Sequence, residues 1–497
     1  MKKYNKLTLL LLLCLSISFS SCNESFLEEI PTDSISVSTA TETADNLFLI
    51  VNGMHRSLYL RYQGSQGKGG IGALMIQNDA LGEDYVMTDR ANGWFINAYQ
   101  WNDHTSATDS DDLFPYRTYY RIIRNANTII NAEGVQGSAN LIKQAKGQAL
   151  FYRAWSYFQL VQLYGKRYVA GSNNDQLGVP LRLEVTTDPL ERATVEDVYT
   201  QVNQDLTDAI AALDGYSRPS KSHISKTVAL GLKARVALVQ GNNIDASTLA
   251  VQARSGYNLM SFGEYFTNFS NYESEEWMWG SRIQEDQSMY FANYGAYVSR
   301  NYSSSNIRGN PKAINSTLYH KIPTSDVRSR IFDPTGQHNN LPGGIVLPSN
   351  FNLEPYTSQK FIATDFGDSR MDVPYMRVSE MYLIEAEAKS RMGSDDADAA
   401  NALFEMSKVR NPSYTLSTST GATLLEEILL QRRWELWGEG FRFYDLKRMD
   451  KALDRTGANH IPSLSVIINV PAGDKRWEWL IPQDALNANP LLVQNAL

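Results

Sequence analysis

The side chains that most often carry catalysis are thinly spread in this sequence. Six histidines stand at positions 55, 104, 223, 320, 338 and 460, far apart along the chain. No HExxH, GxSxG or Walker A pattern accompanies them. "GKGGIG" places Gly67, Gly69 and Gly72 at GxGxxG spacing, but it follows "LYLRYQ", which reads as a helix end rather than a strand. A flexible loop is therefore expected there, not a dinucleotide site. "DSDD" (109–112) and "DDAD" (395–398) offer oxygen ligands for Ca2+, yet neither has the full loop spacing with its Gly and closing Glu. They are expected to be an acidic turn and a charged helix N-terminus, where the dipole favours Asp. The 54 Asp and Glu allow many carboxylate pairs for glycoside hydrolysis, and the sequence singles out none. No catalytic residue, metal or cofactor is expected.

Aromatic clusters carry more information. "NGWFINAYQWNDH" (92–104) sets Trp94, Phe95, Tyr99 and Trp101 among the amides Asn92, Asn97, Gln100 and Asn102. A sugar ring has an apolar C–H face and a polar rim, so a flat indole or phenol flanked by amides matches it. The competing expectation is a strand or turn packed into the core. A second cluster holds Tyr290, Phe291, Tyr294, Tyr297, Arg300 and Tyr302 between Gly- and Ser-rich flanks. The ligand-binding candidates are Trp94, Asn97, Tyr99, Trp101, Asn102, Tyr294, Tyr297 and Arg300. Trp279 is weaker, because Trp277 and Trp279 in "WMWG" share one strand face, expected to be the buried one.

The elements that must hold these residues are mainly helical. Apolar residues recur at helical spacing in 41–60, 115–132, 140–165, 194–214, 225–242, 245–256, 378–393 and 396–410. Pro115 is expected to open its helix, and Thr194 with Asp197 approximates a capping box. Ala-rich helical pairs with short turns resemble degenerate tetratricopeptide units. Residues 258–373 have little helical period, apart from a short strand at "EEWMWGSRI". A long irregular stretch in a helical protein is a usual place for function.

The N-terminus reads as an export signal. "MKKYNK" is cationic and "LTLLLLLCLSISF" is an apolar run too short to span a bilayer. The run ends at "FSSC", similar to a bacterial lipobox, with Phe19 where an aliphatic residue is usual. Residues 1–21 are thus the expected lipoprotein signal peptide, Cys22 the acylated residue, and 22–40 a lipidated tether. The only other cysteine, Cys14, lies within the signal, so no disulfide is expected in the folded part. The 497-residue chain has a formal charge of −8, which becomes −11 without the three lysines of the signal. Such a balance argues against nucleic-acid binding.

Several long stretches resemble the SusD/RagB family of Bacteroidetes outer-membrane lipoproteins. They are "SCNESFLEEIPTDSIS", "GQALFYRAWSYFQLVQLYGKRYVAG" with "GVPL", "MRVSEMYLIEAEA", "RRWELWGEGFRFYDLKR" and "LIPQDALNANPLLVQN". Gln431, Asp484 and Ala485 depart from the family's usual residues. The resemblance implies a mainly α, SusD-like fold in which four tetratricopeptide-like helical pairs support a loop-rich variable half. The parts would be an N-terminal helical region (41–257), a variable ligand-binding region (258–373) and a C-terminal helical region (374–497). It further implies a non-enzymatic, lipid-anchored protein on the outer face of the outer membrane. Such a protein captures glycan and passes it to a SusC-like TonB-dependent transporter, acting as its lid. The alternative is a peptide- or other nutrient-binding partner of such a transporter. Glu24, Glu28 and Glu29 loosely resemble the family's surface-export signal.

The stretch 432–448 looks like a binding surface in isolation, with two Trp, two Phe, one Tyr and five cations. Read as a helix from about Leu424, it places Ile428, Leu429 and Leu436 on an apolar face. Arg432 with Glu435, and Arg442 with Asp445 and Arg448, are at one-turn spacing, so internal ion pairs are expected. Gly438 and Gly440 should break the helix. The stretch is expected to be framework rather than binding surface.

Overall fold

The computed structural model describes residues 37–267, 269–287 and 291–496. The signal, Cys22 and Tyr290 lie outside the described residues, as does nearly all of the 22–40 tether; its end is a one-turn helix, Val37–Ala40. The longer helices are α1 (Ala44–Ser57), α2 (Gly70–Ala80), α3 (Ser110–Ile130), α4 (Ala139–Tyr164), α5 (Val195–Ala212), α6 (Lys226–Gln240) and α7 (Asn243–Arg254). After an irregular stretch come α8 (Val378–Met392), α9 (Asp396–Arg410), α10 (Gly421–Glu435) and α11 (Arg442–Arg448). Among the described residues, no helix is long and apolar enough to cross a membrane.

Local chemistry sets the ends of these helices. Thr194 Oγ1 accepts from Asp197 N while Asp197 Oδ2 accepts from Thr194 N, so the shorter Asp closes the capping box as Glu would. Gly241 ends α6 in the left-handed conformation at φ +74°. The expectation for α3 is corrected: the helix starts at Ser110, capped by Asp109, and Pro115 lies inside it. The ring removes the bond that Asp111 C=O would receive, and Gln77 Nε2 donates to that carbonyl instead, at 3.3 Å.

Neighbours in sequence pack on each other: α3 on α4, α4 on α5, α5 on α6 and α6 on α7. The series then continues from α7 directly onto α8, and from α8 to α9 and α10. The irregular stretch 255–377 is therefore an excursion from one continuous helical stack. Its return is an antiparallel pair, β2 (Trp277–Ser281) with β6 (Val373–Arg377). A separate antiparallel sheet runs in the order β1 (Tyr85–Met87), β3 (Lys312–Ile314), β5 (Thr357–Ser358), β4 (Phe332–Asp333), tying the excursion to the chain after α2.

The joint between excursion and stack is a fully buried ion network. Arg377 binds Glu276, Glu435 (2.9 Å) and Glu439 (2.7 Å). Arg410 binds Glu276 (2.7 Å) and Glu435 (3.0 Å). Arg328 pairs with Asp326 (2.7 Å) and reaches Glu435 (3.4 Å), while Lys360 pairs with Glu439 (2.7 Å). Four cations thus face four carboxylates, so burial leaves no net charge. Despite burial, the neighbouring guanidinium groups hold the Glu435 carboxyl well below its ordinary range. Burying such charges is costly, but removing one partner strands the others.

The 432–448 stretch is framework, with partners that differ from those expected. Glu435 turns away from Arg432 and into the network. Arg432 instead meets Asp445 at 2.7 Å, and Arg448 meets the same carboxylate at 2.8 Å. Arg442 pairs with Glu83 and Asp84 beyond α2, not with Asp445. Trp434, Leu436 and Trp437 are buried, and Leu429 is only half-buried. Gly440, at φ +85°, ends the break by donating its N–H to Asp79 Oδ2 at 2.9 Å.

Candidate functional site

The two aromatic clusters meet. Trp94 and Phe95 both stand edge-on to Tyr297, with ring centroids at 5.6 and 5.2 Å. Tyr297 is buried, donates its hydroxyl to Gln66 C=O (2.7 Å) and accepts from Gly69 N (2.9 Å). The glycines of "GKGGIG" permit this approach. A Cβ on Gly69 would sit 2.5 Å from the Tyr297 hydroxyl, and one on Gly72 would sit 2.9 Å from Tyr294 Cβ. The loop that superficially fits a nucleotide motif is the seat for the second aromatic cluster.

Above this seat lies a cleft of about 360 Å³. Trp94 and Phe95 form its aromatic side, and Gln66, Lys68, Asn97, Asp103, Ser110 and Asp111 its polar side. Trp94 is half-buried and packs over Gly67, while Asn97 is exposed. Lys68 Nζ donates to Ser110 Oγ (2.6 Å) and pairs with Asp111 at 3.0 Å. Asp109 caps α3 by accepting from Asp111 N at 2.7 Å. Burial, followed by the charges of Asp111 and Asp109, pushes the Asp103 carboxyl up to about 8. The cleft therefore combines a flat apolar face with a rim of amide, hydroxyl, ammonium and carboxylate groups.

The sequence-predicted residues divide sharply. Trp94 and Asn97 line the cleft, and Asn102 is exposed outside its lining with its side chain donating to Gln100 Oε1. The other five are corrected, because each is withdrawn into the core. Tyr99 is 0% exposed, stacked on His460 beneath the Arg455 guanidinium. Trp101 is 2% exposed, donates Nε1–H to Leu81 C=O and packs edge-on to Trp477. Tyr294 is buried against Phe361 and donates to Gly438 C=O. Tyr297 is the buried pillar beneath Trp94. Arg300 is 1% exposed and donates to His338 Nε2 and Asn352 C=O. Burial lowers its guanidinium to about 10, outweighing the Asp333 charge that opposes the shift. Trp277 and Trp279 are buried, as their shared strand face implied. Lys68, Gln66 and Asp103 were missed; the signal available was their spacing around the glycine loop and "DSDD". Phe291, tilted against Tyr302, is 36% exposed and is the outward aromatic among the described residues of the second cluster.

Two family models match the chain, one over residues 66–238, described as starch-binding and associating with the outer membrane, and one over 333–497, described as the SusD family. Together they cover both ends of the helical stack. The chain belongs to the SusD/RagB family. Among relatives, it is 24% identical to SusD-like protein P25 of Formosa agariphila, over 68% of this chain and 70% of that protein. A SusD superfamily protein from Bacteroides thetaiotaomicron is 25% identical at TM-score 0.77, covering 92% of this chain and all of that one. A SusD-like carbohydrate binding protein from Bacteroides vulgatus has the same TM-score at 24% identity, covering 90% and 97%. A laminarin binding SusD-like protein shares the fold at TM-score 0.70 and 21% identity, covering 91% and 99%. The mainly α, SusD-like fold expected from the sequence is the observed one.

Proposed function

We propose that this SusD/RagB protein is a non-catalytic, lipid-anchored glycan-binding protein of the outer cell surface. It captures oligosaccharide or polysaccharide and hands it to a SusC-like TonB-dependent transporter, for which it acts as a lid. The observation that carries the reading is Trp94, a half-exposed indole braced edge-on by buried Tyr297 and facing a polar rim in one cleft. A sugar ring would stack on the indole, with Asn97, Gln66 and Lys68 reaching its hydroxyls. The outer-membrane association of the family and the carbohydrate- and laminarin-binding descriptions of fold relatives support the reading.

The cleft does set a raised acid beside other carboxylates, an arrangement that glycoside hydrolysis uses. Asp103, however, is 2% exposed, and Asp111 is engaged by Lys68. Neither is free to protonate or attack a glycosidic bond, so binding is the reading we adopt. Glycan arrays followed by calorimetry on the mature protein test it. Binding of at least one glycan, lost in Trp94→Ala, supports the assignment. Binding of peptides with no glycan affinity would favour nutrient capture of the other kind, and release of reducing sugar would overturn the non-enzymatic reading.

A further inference from the structure

Next to the cleft, where Asp103 and Asp111 line it, is a feature that sugar binding does not use. One carboxylate oxygen from each of Asp103, Asp109 and Asp111 lies within 4.8 Å of the others. Two oxygens on one Ca2+ stand at most about 5 Å apart, twice its 2.3–2.6 Å bond, so the three can share one ion. The second observation is Asp103 itself. It is 2% exposed, and its Oδ1 is buried with no hydrogen-bond partner. Buried polar atoms are almost always satisfied, and a carboxylate oxygen can be satisfied only by a donor or a cation.

We propose that Asp103, Asp109 and Asp111 form a binding site for a hard divalent cation, Ca2+, beside the Trp94 cleft, which Asp103 and Asp111 line. The ligands are all oxygen, which selects Ca2+ or Mg2+ over softer metals. Asp103 sits in a short turn at the end of the 92–104 cluster, and Asp109 and Asp111 sit at the start of α3. Ligands drawn from two segments, two of them half-buried, suit the variable geometry of Ca2+ better than the tight octahedron of Mg2+. Once the ion displaces the Asp103 proton, Lys68 offsets one of the three carboxylate charges through its 3.0 Å contact with Asp111. The remaining two match a divalent ion and outweigh the positive end of α3. The cleft leaves a solvent path to the ion, so water completes its shell. The site is independent of which nutrient the protein carries.

The test uses mature protein freed of metal with EDTA and titrated with CaCl2 alone, read by calorimetry and by Tb3+ luminescence sensitised by Trp94. One ion is expected per chain, with Kd in the range of about 10⁻⁴–10⁻³ M found for extracellular Ca2+ modules. Tm should rise by roughly 1–3 °C in 5 mM Ca2+. Asp103→Asn should weaken binding by at least about 10-fold. Asp109→Asn retains a good helix cap, so it folds even if Asp103→Asn does not, and should show the same loss. No heat, no Tb3+ signal and no Tm shift up to 10 mM Ca2+ would overturn the proposal, as would unchanged binding in both variants.

Discussion

Glu435→Ala tests whether the 432–448 stretch is framework. The Glu435 carboxylate is shared by Arg328, Arg377 and Arg410, all fully buried. Each guanidinium keeps another carboxylate: Asp326 for Arg328, Glu276 and Glu439 for Arg377, and Glu276 for Arg410. The loss therefore resembles one broken buried pair, about 3–5 kcal/mol, rather than three. Unfolding entropy for a chain of this length is about 1 kcal/mol per kelvin, so Tm should fall by roughly 3–5 °C. Differential scanning fluorimetry reads the shift, and calorimetry on the folded fraction reads ligand affinity, which should not change. Wild-type Tm with weakened glycan binding would refute the reasoning and return the stretch to the binding surface.

Asp445→Ala should also destabilise, because Arg432 and Arg448 share this one carboxylate; thermal melts at pH 7 check it, with a loss of about 3–5 kcal/mol expected. Glu435, Glu439 and Asp445 are all held below their ordinary values by adjacent cations. Such depressed acids contribute stability above the unfolded carboxylate range and lose it as pH falls through their folded values. Tm should consequently drop as pH is lowered below about 4, and less steeply in Asp445→Ala. Trp101→Ala should cost about 3–5 kcal/mol as a core truncation, measured by denaturant melts, with glycan affinity of the folded fraction unchanged.

The framework was legible because its signals are local and repeated. Apolar spacing located the helices, and the capping pair Thr194 and Asp197 marked a start that the structure keeps. The partners across the fold were not legible. One-turn spacing suggested Arg432 with Glu435, but Glu435 is drawn to Arg377 and Arg410, from segments remote in sequence. The site was half legible for a similar reason. An aromatic cluster announces contact area without saying which ring faces outward. Tyr294 and Tyr297 face inward because Gly69 and Gly72 leave room for them, and Tyr99 and Trp101 because His460 and Trp477 cover them. Trp94 and Phe95, on the far side of Tyr297, are left toward the cleft.

The central claim rests on that indole. Sugar stacked on Trp94 would cover roughly 60–100 Å² of apolar surface, about 1.5–2.5 kcal/mol. Calorimetric titration of wild type and Trp94→Ala with a glycan found on an array should therefore show affinity falling about 10- to 70-fold with Tm nearly unchanged. Equal affinity in the two proteins would contradict the account.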